Sequence, residues 1–115
     1  MSNKKIGIVM GSDSDLSTMQ ETLTVLDEFG VKYDVDVISC HRTPQRAHKY
    51  AMSAEKKGYK VIIGGAGGSA HLAGVIASMA PMPVIGIPML TPDLGGLDSL
   101  YSIVQMPGGV PVAAV

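Results

Sequence analysis

Five short apolar runs recur along this chain, separated by longer segments with helical spacing, and that alternation admits few folds. Residues 5–10, 33–39, 60–63, 83–87 and 110–115 read as strands; 14–29, 44–57, 70–80 and 97–106 read as helices. Strands that alternate with helices pair in parallel, because a parallel neighbour needs a crossover long enough to hold a helix. The fold class is therefore α/β, with a central parallel sheet of about five strands. At 115 residues the chain suits a single domain covering 1–115.

Local signals agree. Leu16, Met19, Leu23 and Leu26 fall on one face of the first helix, and Gly30 follows as its stop. Tyr33, Val35 and Val37 alternate with Asp34 and Asp36. Thr43-Pro44 is a helix start, since proline suits the first helical position; Ala47, Tyr50, Ala51 and Ala54 form that helix's inner stripe and Gly58 ends it. A glycine-rich turn over 64–68 leads into a helix that is apolar nearly all round.

Charge is distributed unevenly. Nine Lys and Arg balance ten Asp and Glu, but all nine lie within residues 1–60; beyond them only Asp93 and Asp98 are charged. The surface of a chain this small is normally rich in charge, so the second half is expected to be covered by partner subunits in a homo-oligomer. A neutral surface of Gly, Ser and Ala is the alternative. Residues 61–92 carry no Lys, Arg, Asp or Glu, yet six Gly and four Pro break up any spanning helix, so burial is expected rather than a membrane. Residues 6–10 are too short for a signal-peptide core. A net charge of −1 gives no general hold on nucleic acid, and 4% aromatics offer few stacking platforms. A lone Cys40 forms no internal disulfide and fits a reducing, cytoplasmic compartment.

In sheets of this kind ligands bind beyond the carboxyl ends of the strands, which singles out three loops. Gly11-Ser12-Asp13-Ser14-Asp15 places short hydroxyls and carboxylates at a helix start, suited to a sugar and its phosphate or simply to capping. Ser39-Cys40-His41-Arg42-Thr43-Pro44 combines an imidazole, whose class changes protonation near neutral pH, with a guanidinium that matches phosphate or carboxylate. Cys40 is expected to be inert packing, because adjacent side chains of an extended segment point to opposite faces. Gly64-Gly65-Ala66-Gly67-Gly68-Ser69-Ala70-His71 loosely matches a dinucleotide fingerprint, but no acidic residue closes the next strand. Close backbone approach to a small flat anion is the other use of so many glycines. His71 is either a ligand contact or a helix-start histidine bonded to backbone. No His-x-x-x-His, Cys-x-x-Cys, Walker-type or Gly-x-Ser-x-Gly pattern is present, so no metal site and no resident cofactor are expected.

Together these motifs, with the stretch 98–112 that contains Ser102-Ile103-Val104-Gln105-Met106-Pro107, resemble the class I N5-carboxyaminoimidazole ribonucleotide mutases, the catalytic subunit family of phosphoribosylaminoimidazole carboxylase, over nearly the whole chain. The resemblance implies a three-layer flavodoxin-like sandwich in a homo-octamer. It implies an isomerase of purine biosynthesis that moves a carboxylate from N5 to C4 of its ribonucleotide, fed by a separate ATP-dependent synthetase. By that resemblance Ser12 and Asp15 contact the ribose phosphate, Ser39 and Arg42 hold the phosphate, and His41 is the acid and base. Gly67, Gly68, Ser69, His71 and Leu72 would surround the migrating carboxylate. The sister class, which uses free carbon dioxide, has Lys at the Arg42 position and lacks Ala70-His71-Leu72. Family members often have Ala where this chain has Cys40 and Ser69. They also continue past Val115 into C-terminal helices, so one sheet face is expected to be left uncovered here. Two rival readings stand beside the enzyme: a non-catalytic nucleotide-binding remnant, and a dinucleotide-dependent oxidoreductase built on the Gly65 loop.

Overall fold

The computed structural model describes residues 4–115. Five parallel strands form one sheet in the order β2-β1-β3-β4-β5, where β1 is Lys5–Met10, β2 Tyr33–Val37, β3 Tyr59–Ala66, β4 Val84–Pro88 and β5 Ala113–Ala114. This is the flavodoxin-like strand order, and it puts β1 and β3 at the centre. The helices are α1 (Leu16–Glu28), α2 (Pro44–Ser53), α3 (Leu72–Ala77) and α4 (Leu97–Val104).

The two-residue period of the strands divides the core between two faces. On one, Val9, Ile62, Ala66 and Val84 meet Ala47, Tyr50, Ala51 and Ala54 from α2 and its end, Leu72, Ala73 and Ile76 from α3, and Ile103 from α4. On the other, Ile8, Met10 and Ile63 meet Met19 and Leu23 of α1 and Met89. Among the described residues α1 is the only helix in this second cluster; Ile85 and Ile87 of β4 are only partly buried there. The sandwich is thus three layers, unequally filled.

Several elements differ from the sequence reading, each for a local reason. Helix α1 starts at Leu16, because Ser12 Oγ accepts the Ser14 N–H at 3.3 Å and Asp13–Asp15 form a 3₁₀ turn. That turn changes the helical phase, and Leu16, expected on the inner face, is exposed. Val35 and Val37 are exposed as well, since β2 is an edge strand and α1 packs over β1 and β3. Strand β3 does not stop at Ile63. Gly64 and Gly65 pair with Val9 and Met10 on one side and with Gly86 and Ile87 on the other. A Cβ on Gly65 would stand 2.5 Å from Met89 Cε and 2.8 Å from Met19 Sδ, so glycine here lets the α1 layer approach the sheet. Helix α3 is shorter than 70–80, because Ala70 and His71 are spent in turn bonds to Gly68 O and Ser69 O. Helices α2 and α4 likewise end at Ser53 and Val104, short of 57 and 106. Strand β5 is cut to two residues; Pro111 lacks the N–H a ladder needs, and the Val110 N–H turns back to Pro107 O. Gly30 (φ +69°) and Gly58 (φ +89°) do end their segments in the left-handed region. No helix of the described residues is long and apolar enough to cross a membrane.

Candidate functional site

The carboxyl ends of β1, β2 and β3 lie side by side, and the ladder continues beyond them. Gly11 N–H reaches Gly65 O at 3.0 Å and Ile38 N–H reaches Met10 O at 2.8 Å. The three loops that leave these strands therefore begin from fixed positions on one edge. They enclose a cavity of about 240 Å³. The first loop contributes Gly11 and Ser12; the second Ser39, Cys40, His41 and Arg42; the third Gly67, Ser69 and Leu72, with Ala66 at the strand end.

The second loop is tied into a turn by Ser39. Ser39 O accepts both the Thr43 N–H at 2.8 Å and the Thr43 hydroxyl at 2.6 Å, and Ser39 Oγ accepts the Arg42 N–H at 3.2 Å. His41 and Arg42, both exposed, ride on this turn at the start of α2. Helix starts carry unpaired N–H groups and a positive end of the peptide dipole, and α1, α2 and α3 all begin at this edge. An anion entering the cavity meets those dipoles together with the Arg42 guanidinium.

His41 is not alone. Its Nε2 lies 2.8 Å from His71 Nδ1, with the rings perpendicular and their centroids 4.9 Å apart. One hydrogen occupies that gap, so whichever ring donates, the other presents its lone pair. The contact holds the His41 ring in its orientation, the role a second histidine or a carboxylate plays beside many acid–base imidazoles.

Three of the candidate residues stand outside the lining. His71 sits behind His41 and faces a second hollow with Gly74, Ser102 and Met106. The Gly68 N–H goes to Ser99 Oγ at 3.0 Å. Asp15 is the last residue of the 3₁₀ turn, where desolvation chiefly, and then nearby Asp13, raise its carboxyl above the ordinary value against the opposing pull of the Ser12 backbone. Burial pushes the Cys40 thiol up, so it stays protonated near neutral pH, and the same side chain packs against the α2–α3 core. Gly11, Cys40 and Ala66 are the lining residues that sequence reasoning did not count among substrate contacts. Their signal was weak because each contributes backbone or a small apolar surface. Among the described residues no three His, Cys, Asp or Glu cluster as metal ligands would.

The family model for AIR carboxylase matches residues 5–115. The chain belongs to that family. It is 58% identical over 111 residues to N5-carboxyaminoimidazole ribonucleotide mutase of Thermotoga maritima, covering 96% of this chain and 65% of that protein. It is 60% identical over 110 residues to the protein of the same name from Pyrococcus horikoshii, covering 96% of this chain and 62% of that protein. The chain therefore spans somewhat less than two thirds of either relative's length. Among solved structures it resembles Treponema denticola PurE, with a TM-score of 0.89, 28% identity, and coverage of 97% of this chain and 71% of that one. The three-layer, flavodoxin-like fold that the family resemblance implies is the fold observed.

Proposed function

We propose that this chain is a single mutase domain that converts N5-carboxyaminoimidazole ribonucleotide to its 4-carboxy isomer in purine biosynthesis. The observation that carries the reading is the placement of His41. It lines a cavity together with Gly11, Ala66 and Gly67 and with Ser39 and Arg42, and His71 is bonded to its Nε2. A proton-transferring imidazole, a guanidinium for phosphate and a wall of backbone are what a carboxylate transfer on a phosphorylated substrate requires.

In this reading Arg42 and Ser39 hold the phosphate, and Ser12 and Asp15 hold the ribose phosphate end. Gly67, Gly68, Ser69, His71 and Leu72 surround the carboxylate. His41 protonates N5, the N5–carboxylate bond breaks, and carbon dioxide and the amine form. C4 then attacks the trapped carbon dioxide, and His41 removes the C4 proton to restore the aromatic ring. The proton given equals the proton recovered, and nothing is oxidised or reduced, so the chemistry calls for no cofactor. Remote binding energy at the phosphate orients the ring for recapture. Arg42 and Ala70-His71-Leu72 favour this isomerisation over carboxylation by free carbon dioxide.

The same reading makes the protein a cytoplasmic homo-oligomer, an octamer, working after an ATP-dependent synthetase. Its support is the second half of the chain, where Leu90 is 84%, Leu94 65% and Tyr101 61% exposed with no Lys or Arg nearby in sequence. The test is direct. Purified protein should form the 4-carboxy product from N5-carboxyaminoimidazole ribonucleotide, and His41→Asn should lower kcat at least about a hundredfold with substrate still bound. Near-normal turnover by His41→Asn sinks the assignment.

A further inference from the structure

Helix α4 reaches back to the glycine turn through two serines that the reaction as written does not use. Ser99 is fully buried, and its Oγ accepts the Gly68 N–H at 3.0 Å. Ser102 Oγ lies 3.1 Å from Gly68 O and 2.7 Å from Asp98 O, so its single hydrogen is shared between two carbonyls. Gly68 holds φ +67°, and both of its backbone polar groups are tied to a helix 31 and 34 residues further on. Thr91 braces the start of that helix, its Oγ1 standing 2.8 Å from each carboxylate oxygen of Asp98. Gly67 lies between the clamp and the cavity. A Cβ there would stand 3.2 Å from Met89 Cβ and from Thr91 Cγ2, and 3.6 Å from Ser99 Oγ. The turn is thus fastened from behind by side chains that do not line the cavity.

We infer that Ser99 is a positioning residue, which acts through Gly68 to hold the 67–69 turn against the substrate carboxylate and so sets how much carbon dioxide is recaptured. The inference rests on the carboxylate transfer proposed above. Carbon dioxide is small and neutral, so its retention depends on a closed wall more than on attraction. Without the Ser99 oxygen, the Gly68 N–H has no acceptor and the turn opens more often. The competing route then gains. The N5–carboxylate bond still breaks and N5 keeps the proton from His41. The carbon dioxide escapes to be hydrated, His41 regains a proton from water, and aminoimidazole ribonucleotide is released. The phosphate end is gripped by other loops, so substrate affinity is nearly untouched.

The experiment compares the full chain with its Ser99→Ala and Ser102→Ala variants on N5-carboxyaminoimidazole ribonucleotide, measuring the 4-carboxy product and free aminoimidazole ribonucleotide together. For Ser99→Ala, kcat for isomerisation should fall about tenfold or more, with KM within about threefold, as for an interaction made beyond the ground state. The released aminoimidazole ribonucleotide, as a fraction of substrate consumed, should rise about fivefold or more. Ser102→Ala should move the same way but less, because Gly68 O keeps the Ala70 N–H at 2.8 Å. In the absence of substrate, exchange of the Gly68 amide hydrogen should quicken in Ser99→Ala. A role in stability alone would lower the melting temperature and leave the product ratio where it was. If Ser99→Ala does not fold, Ser102→Ala decides. An unaltered product ratio in the folded variants, beside an active unmutated chain, overturns the positioning role alone; an unmutated chain that makes no 4-carboxy product overturns the proposed reaction and this role with it.

Discussion

Gly86 sits in the middle of β4, paired with Gly64 on one side and Ala114 on the other, and the layer above it leaves no space for a side chain. A Cβ at Gly86 would lie 2.5 Å from Ile103 Cγ2, 3.2 Å from Val112 Cγ1 and 3.4 Å from Ala73 Cβ. Comfortable carbon–carbon separation is about 3.5–4.0 Å, so the first contact is short by roughly 1–1.5 Å. Ile103 has little freedom to yield, because it is 1% exposed and branched at Cβ. Overpacking of this kind costs about 1–3 kcal/mol, and the tightness here points to the upper end. Gly86 has an ordinary negative φ, so alanine also restricts the unfolded chain and returns about 0.4–1 kcal/mol. The net expectation for Gly86→Ala is a loss of about 2 kcal/mol. With a urea m value of about 1–3 kcal/mol/M, the unfolding midpoint should drop by about 1 M. Ile103→Ala alone should cost about 2–5 kcal/mol through its cavity. The two changes should then offset one another, the double variant being more stable than additivity allows by at least about 1 kcal/mol. Gly108→Ala is the control: nothing lies within 4 Å of its Cβ position, and a change within about 0.5 kcal/mol is expected. Urea titrations followed by circular dichroism give all four values. A Gly86→Ala protein as stable as the parent, or strict additivity with Ile103→Ala, would refute the packing argument.

Three further outcomes are expected. Arg42→Ala should raise KM about tenfold, the worth of a charge-assisted hydrogen bond, with a smaller effect on kcat; an unchanged KM removes Arg42 from the phosphate site. Lys5, 2.7 Å from Asp34, is the main cause that holds this carboxyl below its ordinary 3.8, with a lesser pull from the Tyr59 hydroxyl against partial desolvation. A depressed folded value means stability that is present above the unfolded value and lost as pH falls through the folded one, so the small gap between the parent and Asp34→Asn should start to shrink near about pH 4 and narrow progressively as the pH falls further. A gap that widens as the pH is lowered contradicts this. Iodoacetamide at about pH 7.5 should alkylate Cys40 about tenfold more slowly in the folded than in the denatured protein, and equal rates would show that burial does not hold the thiol protonated.

Much of the architecture was legible because strand and helix periods alternate so regularly, and the three loops could be placed on one edge from topology alone. Ser12, Ser39, His41 and Arg42 were legible as a group because each follows a strand and opens a helix. What escaped was set by contacts distant in sequence. The extension of β3 through Gly64 and Gly65 rests on pairing with Val9 and Met10 and with Gly86 and Ile87, and at Gly65 Met19 and Met89 occupy the missing side-chain space. The start of α1 was misjudged because Ser12 caps a 3₁₀ turn and not the helix itself. The exposure of Val35 follows from where α1 lies on the sheet, which the strand's own alternation does not encode. The hydrogen bond between His41 and His71 joins residues 30 apart in sequence, and the Ser99 clamp joins residues 31 apart; no local pattern announces either one.

The cavity floor is made by Gly11, Ala66 and Gly67, at or just past the ends of two central strands. Such a surface has no side-chain torsions to freeze when a ligand arrives, so that part of binding carries no loss of rotamer entropy. Its contour is inherited from sheet twist and strand pairing, which move only with the whole domain. Substitutions that reshape this floor must therefore either add atoms to it or shift a strand. Adjustable selectivity is left to lining side chains such as Ser39 and Arg42, which have torsions of their own.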